Sequence, residues 1–178
     1  MHRHPGGEAA LERLISAAGL APGAHIIDLG AGDGGAVRYL RSLGFDAVGI
    51  DLKPGSDVEY GDILSPPFEP ESFDAALSLC SLLLTGDVPL ALRRTRTLLR
   101  PGGVFMYSDV VPGGLTALAE LVREAGFELI SCSDETEEWR GYYIAALWRG
   151  EAEPPPPDAK NCRYLAAILR KEEQYGRI

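Results

Sequence analysis

The chain has 178 residues, 46% of them hydrophobic and 24% charged, with a formal net charge of −9. That length fits one domain able to bury about two-thirds of its unfolded surface, and the composition is ordinary for a soluble globular protein. The excess of acid argues against duplex DNA, RNA or an anionic membrane as a broad-surface partner.

No apolar run approaches the length needed to span a bilayer. The opening residues, 1–7, are polar and lack the apolar core of a signal peptide. Cys80, Cys132 and Cys162 are odd in number and widely spaced. They match neither a disulfide framework nor a zinc site, so no metal is expected and the cytoplasm is the expected compartment.

In chain order, residues 8–20 carry Ala9, Leu11, Leu14, Ile15 and Ala18 at helical spacing, closed by Gly19. A short strand is expected over 24–29, then a glycine cluster, then a helix over 34–43 that stops at Gly44. Strands follow at 46–51, near 58–61 and at 73–79, the second of them leading into Asp62. A helix over 87–99 ends in the turn Leu99-Arg-Pro-Gly-Gly103, which feeds a strand at 104–109. Next come a helix over 114–125, closed by Gly126, and two strands at 127–132 and 141–148.

Strands alternating with helices predict an α/β fold: a mostly parallel, Rossmann-like sheet with helices on both faces. Only residues 133–140 join the last two expected strands, too few for a parallel crossover, so that pair should be antiparallel. Residues 151–157 read as a stiff Pro-rich linker. Beyond it, 158–174 reads as an amphipathic helix with Asp158 as its cap and Cys162, Leu165, Ala166 and Leu169 on one stripe. The expected organisation is therefore a domain over 1–150 and a tail over 151–178. That tail either folds back, forms a lid, or is an arm exchanged in a homodimer.

The most informative stretch is 26–35, Ile-Ile-Asp-Leu-Gly-Ala-Gly-Asp-Gly-Gly. An apolar strand ends at Asp28, and glycines then let the backbone turn sharply and approach a ligand closely. The following helix aims free N–H groups at the same place. Gly30, Gly32 and Gly35 also satisfy G-x-G-x-x-G, with Asp51 sixteen residues further on, so an NAD-dependent dehydrogenase is a rival. Three features weigh against it. Asp28 would set a negative charge near a pyrophosphate but would attract a methionyl ammonium. Asp62 closes the third strand, where it can accept the amine of adenine, and a terminal antiparallel pair is foreign to the dinucleotide fold. S-adenosylmethionine is the better match.

From about residue 8 to residue 148 the chain resembles the class I S-adenosylmethionine-dependent methyltransferases of the small-molecule type. The resemblance rests on Asp28-Leu-Gly-Ala-Gly-Asp-Gly34, Gly49-Ile-Asp51, Gly61-Asp62-Ile63, Ser72-Phe-Asp-Ala-Ala76 and Leu99-Arg-Pro-Gly-Gly103, in that order. It implies a seven-stranded sheet of order 3-2-1-4-5-7-6 with strand 7 antiparallel. It implies that Asp28 holds the cofactor's amino group and that Gly30, Ala31 and Gly32 pass close to its methionyl and ribose parts. Asp51 would accept the ribose hydroxyls, Leu52 would lie against adenine, and Asp62 with the Ile63 amide would read its edge. Leu79 and Cys80 would line the methionine side. Only ten residues separate Asp51 from Asp62, too few for the full helix many relatives carry there.

Methyl transfer from a sulfonium depends mainly on positioning, and a general base is needed only for a protonated acceptor. The candidate bases are Asp109 at the end of strand five, His4 near the entrance, and Asp134 in the turn after strand six. Trp139, Tyr142 and Tyr143 are candidates for an aromatic wall, whereas His25, at the start of a buried strand, is structural. The expected activity is methylation of a small-molecule acceptor. A cofactor-binding module without catalysis is the principal alternative, and a thiol-based arsenite methyltransferase a minor one.

Overall fold

The computed structural model describes residues 5–151 and 161–172. Helix α1 (Gly7–Ala18) ends where Gly19 turns left-handed at φ 59°, a conformation glycine adopts without a side-chain clash. Strand β1 (His25–Leu29) leads through the glycine bend into α2 (Gly35–Ser42). Strands β2 (Asp46–Asp51), β3 (Glu59–Tyr60) and β4 (Phe73–Leu79) follow, then a 3-10 turn over Leu83–Thr85. Helix α3 (Val88–Leu98) is capped by Asp87, whose side chain accepts the Leu90 amide at 3.0 Å. The remaining elements are β5 (Leu99–Pro112), α4 (Gly114–Glu124), β6 (Phe127–Asp134), α5 (Thr136–Trp148) and β7 (Cys162–Lys171).

Among the described residues these strands form one seven-stranded sheet of order β3-β2-β1-β4-β5-β7-β6. β1 pairs in parallel with β2 and β4, and β4 with β5, while β7 runs antiparallel to both β5 and β6. Side chains alternate across the sheet and build two cores. One packs Phe105, Tyr107, Leu165 and Leu169 against Leu92 and Leu98 of α3 and Leu118 and Val122 of α4. The other packs Ile26, Leu77, Met106 and Ile168 against Leu11 and Leu14 of α1 and Val37 and Leu40 of α2. Every parallel strand therefore ends at the same edge, and the chain turns at those tips carry the candidate site residues.

Three expectations require correction. Residues 141–148, expected to be the last strand, are the second half of α5, and residues 162–171, expected within a tail helix, are β7. The antiparallel pairing and its place in the order hold, but a different segment supplies the strand. The expected Leu99–Gly103 turn lies inside β5, where the pairing with β4 shifts between Phe73 and Ala75. β7 sits mid-sheet with Tyr164 through Leu169 buried, so 162–171 is part of the core rather than a free helix. The argument for a lid or an exchanged homodimer arm there falls with the helix. The Lys171 ammonium closes this strand by donating to the Leu99 carbonyl at 2.6 Å and to Glu71 at 3.0 Å.

Candidate active site

The bend after β1 is fixed by backbone bonds to β2: the amides of Gly30 and Ala31 both donate to the Ile50 carbonyl, at 2.9 and 3.0 Å. Gly30 has φ 82°, and a Cβ built there would stand 2.3 Å from Cβ and Oγ of Ser81. Only glycine allows the bend and the tip of β4 to approach so closely. The Ser81 hydroxyl donates to the Gly30 carbonyl at 3.2 Å, tying the two together.

Asp28 is 3% exposed, and among the described residues no group donates a hydrogen bond to its carboxyl. Burial, reinforced by the charge of Asp51, pushes its pKa from 3.8 up to about 7. A buried carboxyl without a partner is costly unless a cation or donor arrives to meet it. At the end of β2, Asp51 accepts the Gly32 amide at 2.9 Å and the Lys53 amide at 2.7 Å. Asp62 accepts the Leu64 amide at 2.8 Å, which curls the chain after β3. Leu52 is 58% exposed, whereas Ile63 is buried.

A cavity of about 260 Å³ brings together Gly30, Asp51, Leu52, Asp62 and Ile63 with Ser81 at its edge. Leu84 and Thr85 of the 3-10 turn complete it. All three lie in the 80–88 loop, which the sequence places in the acceptor pocket; the structure sets them at the edge of the cavity that holds Asp51 and Asp62. Ala31 and Gly32 belong to the bend itself, Asp28 lies just upstream, and half-buried Leu79 packs against the α1–α2 core.

Cys80 lies beyond Leu79 in a left-handed conformation, φ 56°, held by its amide bond to the Ser108 carbonyl at 2.8 Å. Its Sγ is 3.2 Å from the Tyr164 hydroxyl, which is also 3.0 Å from the Ser108 hydroxyl. Burial pushes the Cys80 thiol up to about 12. Tyr164 was hidden in the segment expected to be a tail helix. Its ring lies within 5° of parallel to Trp139, which in turn stacks on Tyr143 at 5.4 Å between centroids. Tyr142, the third aromatic expected in this wall, is half-buried on the same helix.

The candidate bases fare differently. Asp109 is 3% exposed, and its oxygens accept the amides of Leu83 at 3.0 Å and Val110 at 2.7 Å. Burial raises its pKa even so. Asp134 accepts both the amide and the hydroxyl of Thr136 and lies 3.7 Å from Arg163. The Thr136 hydroxyl bond holds that carboxyl below the usual range. Both aspartates pair with Leu165 across the sheet, so they stand two strand spacings, roughly 9–10 Å, apart. Asp134 lines a second cavity, of about 610 Å³, that shares no residue with the first. His4 lies outside the described residues. His25 sits at the opposite end of β1, its Nδ1 3.0 Å from the Ser72 carbonyl.

Residues 27–107 match the methyltransferase domain family. The chain is 33% identical over 127 residues to "Probable phthiotriol/phenolphthiotriol dimycocerosates methyltransferase 2" of Mycobacterium ulcerans, covering 61% of this chain and 48% of that protein. It is 31% identical over 120 residues to the malonyl-[acyl-carrier protein] O-methyltransferase of Serratia marcescens, covering 61% and 47%. The chain thus spans about half the length of the curated relatives it matches. The crystal structure of the [4+2]-cyclase SpnF superposes with a TM-score of 0.75 at 22% identity, over 97% of this chain and 84% of that one, a likeness of fold. The orphan carboxyl of Asp28 suits the ammonium of S-adenosylmethionine, and the sheet order is that implied by the sequence resemblance. Residues 27–107 thus match a methyltransferase domain within a sheet of that order, and the chain is similar to the class I S-adenosylmethionine-dependent methyltransferases.

Proposed function

We propose that the protein transfers a methyl group from S-adenosylmethionine to a small-molecule acceptor. The observation that carries the reading is Asp28, a buried carboxyl with no donor among the described residues, two positions before the Gly30 bend that lines a cavity of about 260 Å³. When bound, S-adenosylmethionine supplies an electrophilic methyl carbon on a sulfonium. Asp28 would hold its amino group and Asp51 its ribose hydroxyls, while Asp62 and the Ile63 amide would read the adenine edge against Leu52. The half-buried Leu79–Cys80 tip would shield one side of the reacting centre from water. Fixing two reactants in this way can supply roughly 7–11 kcal/mol, the largest part of what the protein has to provide. Asp109, its oxygens committed to backbone amides, is better read as a positioning residue for the Leu83–Thr85 turn than as a base.

A second reading, cofactor binding without methyl transfer, draws on the lack of an uncommitted base in the described site and on the cyclase whose fold the chain shares. The arsenite reading gains no support, because Cys80, Cys132 and Cys162 are dispersed over the β4 tip, β6 and the start of β7. A cytoplasmic location is supported by those free thiols, and none of the described helices is long and apolar enough to cross a membrane.

Calorimetry with S-adenosylhomocysteine tests the reading directly. Micromolar binding is expected, and Asp51→Ala should weaken it by at least ~2 kcal/mol, since a charged acceptor and an anchor of the glycine bend are lost together. Binding of NADH in place of S-adenosylhomocysteine would refute it. Labelled donor incubated with a metabolite extract then separates the two readings, because binding without any methylated product favours the second.

A further inference from the structure

The glycine bend after β1 and the loop after β2 are stitched to each other through Asp51. Its Oδ2 accepts the Gly32 amide at 2.9 Å, from the bend, and its Oδ1 accepts the Lys53 amide at 2.7 Å, from the loop. A carboxylate accepts through lone pairs in its own plane, two on each oxygen. One amide on each oxygen therefore sets the plane in which a vicinal diol has to meet Asp51. That plane is only as well defined as the spacing between loop and bend.

Residues 52–58 form neither helix nor strand, so contacts with the bend hold them in place. Two positions supply those contacts. Gly55 donates its amide to the Gly32 carbonyl at 2.8 Å. A Cβ at Gly55 would stand 2.8 Å from Cα of Asp33 and 3.0 Å from its carbonyl carbon and oxygen. Those are main-chain atoms, which cannot rotate aside, so glycine is what lets the loop lie against the bend. Arg38 of α2 places one nitrogen, Nη1, 2.7 Å from the Asp33 carbonyl and 2.9 Å from the Asp57 carboxylate. The Arg38–Asp57 pair is exposed, and alone such a pair contributes little. Its role is geometric, because the same nitrogen joins the bend to the far end of the loop.

We propose, resting on the S-adenosylmethionine reading above, that Gly55 and Arg38 are positioning residues for recognition of the ribose diol. They hold the 52–58 loop against the glycine bend and so fix the Asp51 carboxylate for both hydroxyls. Each acts through the Gly32 and Lys53 amides. A carboxylate already in place loses little freedom when the ligand arrives, and the gain is affinity that depends on the diol.

S-adenosylhomocysteine and its 2′-deoxyribosyl analogue differ by one hydroxyl, so their affinity ratio reads the diol alone. Calorimetry on the full chain should show a preference of about tenfold or more for the ribosyl form, the contribution of one hydrogen bond to a charged group. Gly55→Ala should weaken S-adenosylhomocysteine about tenfold and the analogue far less, which reduces the preference to below about threefold. Arg38→Met should move the ratio in the same direction. Gly23→Ala is the comparison for a general loss of stability. Gly23 lies before β1, at the opposite edge of the sheet, with φ 74° and nothing within 4 Å of an added Cβ. That variant should unfold at lower urea and keep the parental ratio. A parental ratio in folded Gly55→Ala or Arg38→Met withdraws the role from that residue, and a ratio equally lost in Gly23→Ala overturns the inference. If Gly55→Ala does not fold, Arg38→Met, at an exposed side chain, decides. A parent that binds S-adenosylhomocysteine without preferring it to the analogue also overturns the inference. A parent that binds neither overturns the reading beneath it.

Discussion

Asp28 and Asp51 end neighbouring strands closely enough that the charge of one opposes ionisation of the other. Asp51 is compensated by two amides, whereas Asp28 has no donor among the described residues. The proposed roles, ammonium at Asp28 and ribose hydroxyls at Asp51, would bring positive charge to the first and donors to the second.

Protonation of Asp28 should dominate the pH response of the unliganded protein. Its carboxyl titrates near 7 in the fold, against 3.8 in the open chain. Between those values the folded state holds a proton that unfolding releases. Stability therefore falls as pH rises from about 4 to about 7 and levels off above, by a few kcal/mol in total. Urea titrations across that range should show the decline, and Asp28→Asn should flatten it. A cationic ligand favours the ionised carboxyl, so S-adenosylmethionine should bind more tightly as pH rises through 7. At pH 6 its binding should release a proton, detectable by calorimetry in buffers of different ionisation heat; binding without proton exchange would remove Asp28 from the amino-group role.

The glycine bend offers a contrast within three residues. At Gly30 an added Cβ meets Ser81 at 2.3 Å and φ is 82°, whereas at Gly32 nothing lies within 4 Å and φ is 53°. Gly32→Ala should cost only the left-handed strain, about 1–2 kcal/mol. Gly30→Ala adds overpacking and should cost roughly 2–5 kcal/mol. Ser81→Gly in the Gly30→Ala background should restore the packing part. Equal losses at the two positions would show that the close approach to β4 is not what selects glycine at 30.

The bend and the acids at the strand tips were legible in sequence because a tight turn admits few residue types. The two terminal elements were not. β7 is buried on both faces, so apolar residues fill nearly every position from Tyr164 to Leu169, and such a run satisfies a helical stripe as well as a strand. In α5 the reverse applies. Its apolar residues point all round, with Ala146 buried, Tyr143 half-buried and Ile144 and Trp148 exposed, so Tyr-Tyr-Ile read as a strand. Glu137 and Glu138 in the first turn and the Asp134–Thr136 bonds start the helix there, and tertiary packing, not periodicity, keeps it. The Trp139–Tyr164 contact was obscure for the same reason, since the two rings meet only once both elements are correctly assigned.

Asp109→Asn separates a base from a positioning group. The carboxylate accepts the Leu83 and Val110 amides, and asparagine keeps only one acceptor oxygen. The expected result is a stability loss of about 1–3 kcal/mol with the shape of the pH–rate profile unchanged. A deleted basic limb, together with a rate lowered by ~10² or more, would reinstate Asp109 as a general base.

Truncation after Gly150 distinguishes the two views of the C-terminal segment most sharply. An appended tail would leave a folded domain behind. β7, however, lies between β5 and β6, pairing with residues 104–112 on one side and 127–134 on the other. Its removal unsatisfies both ladders, withdraws Leu165, Ile168 and Leu169 from the two cores and takes buried Tyr164 from beneath Trp139. Burial of each such side chain contributes about 1.5–3 kcal/mol, so the sum approaches or exceeds the 5–15 kcal/mol by which a domain is ordinarily stable. Exposed edges of two long strands would also pair with other chains. The truncated protein should be insoluble, or give no cooperative transition in urea followed by far-UV circular dichroism; a sharp transition with S-adenosylhomocysteine binding intact would show that β7 is dispensable to the sheet.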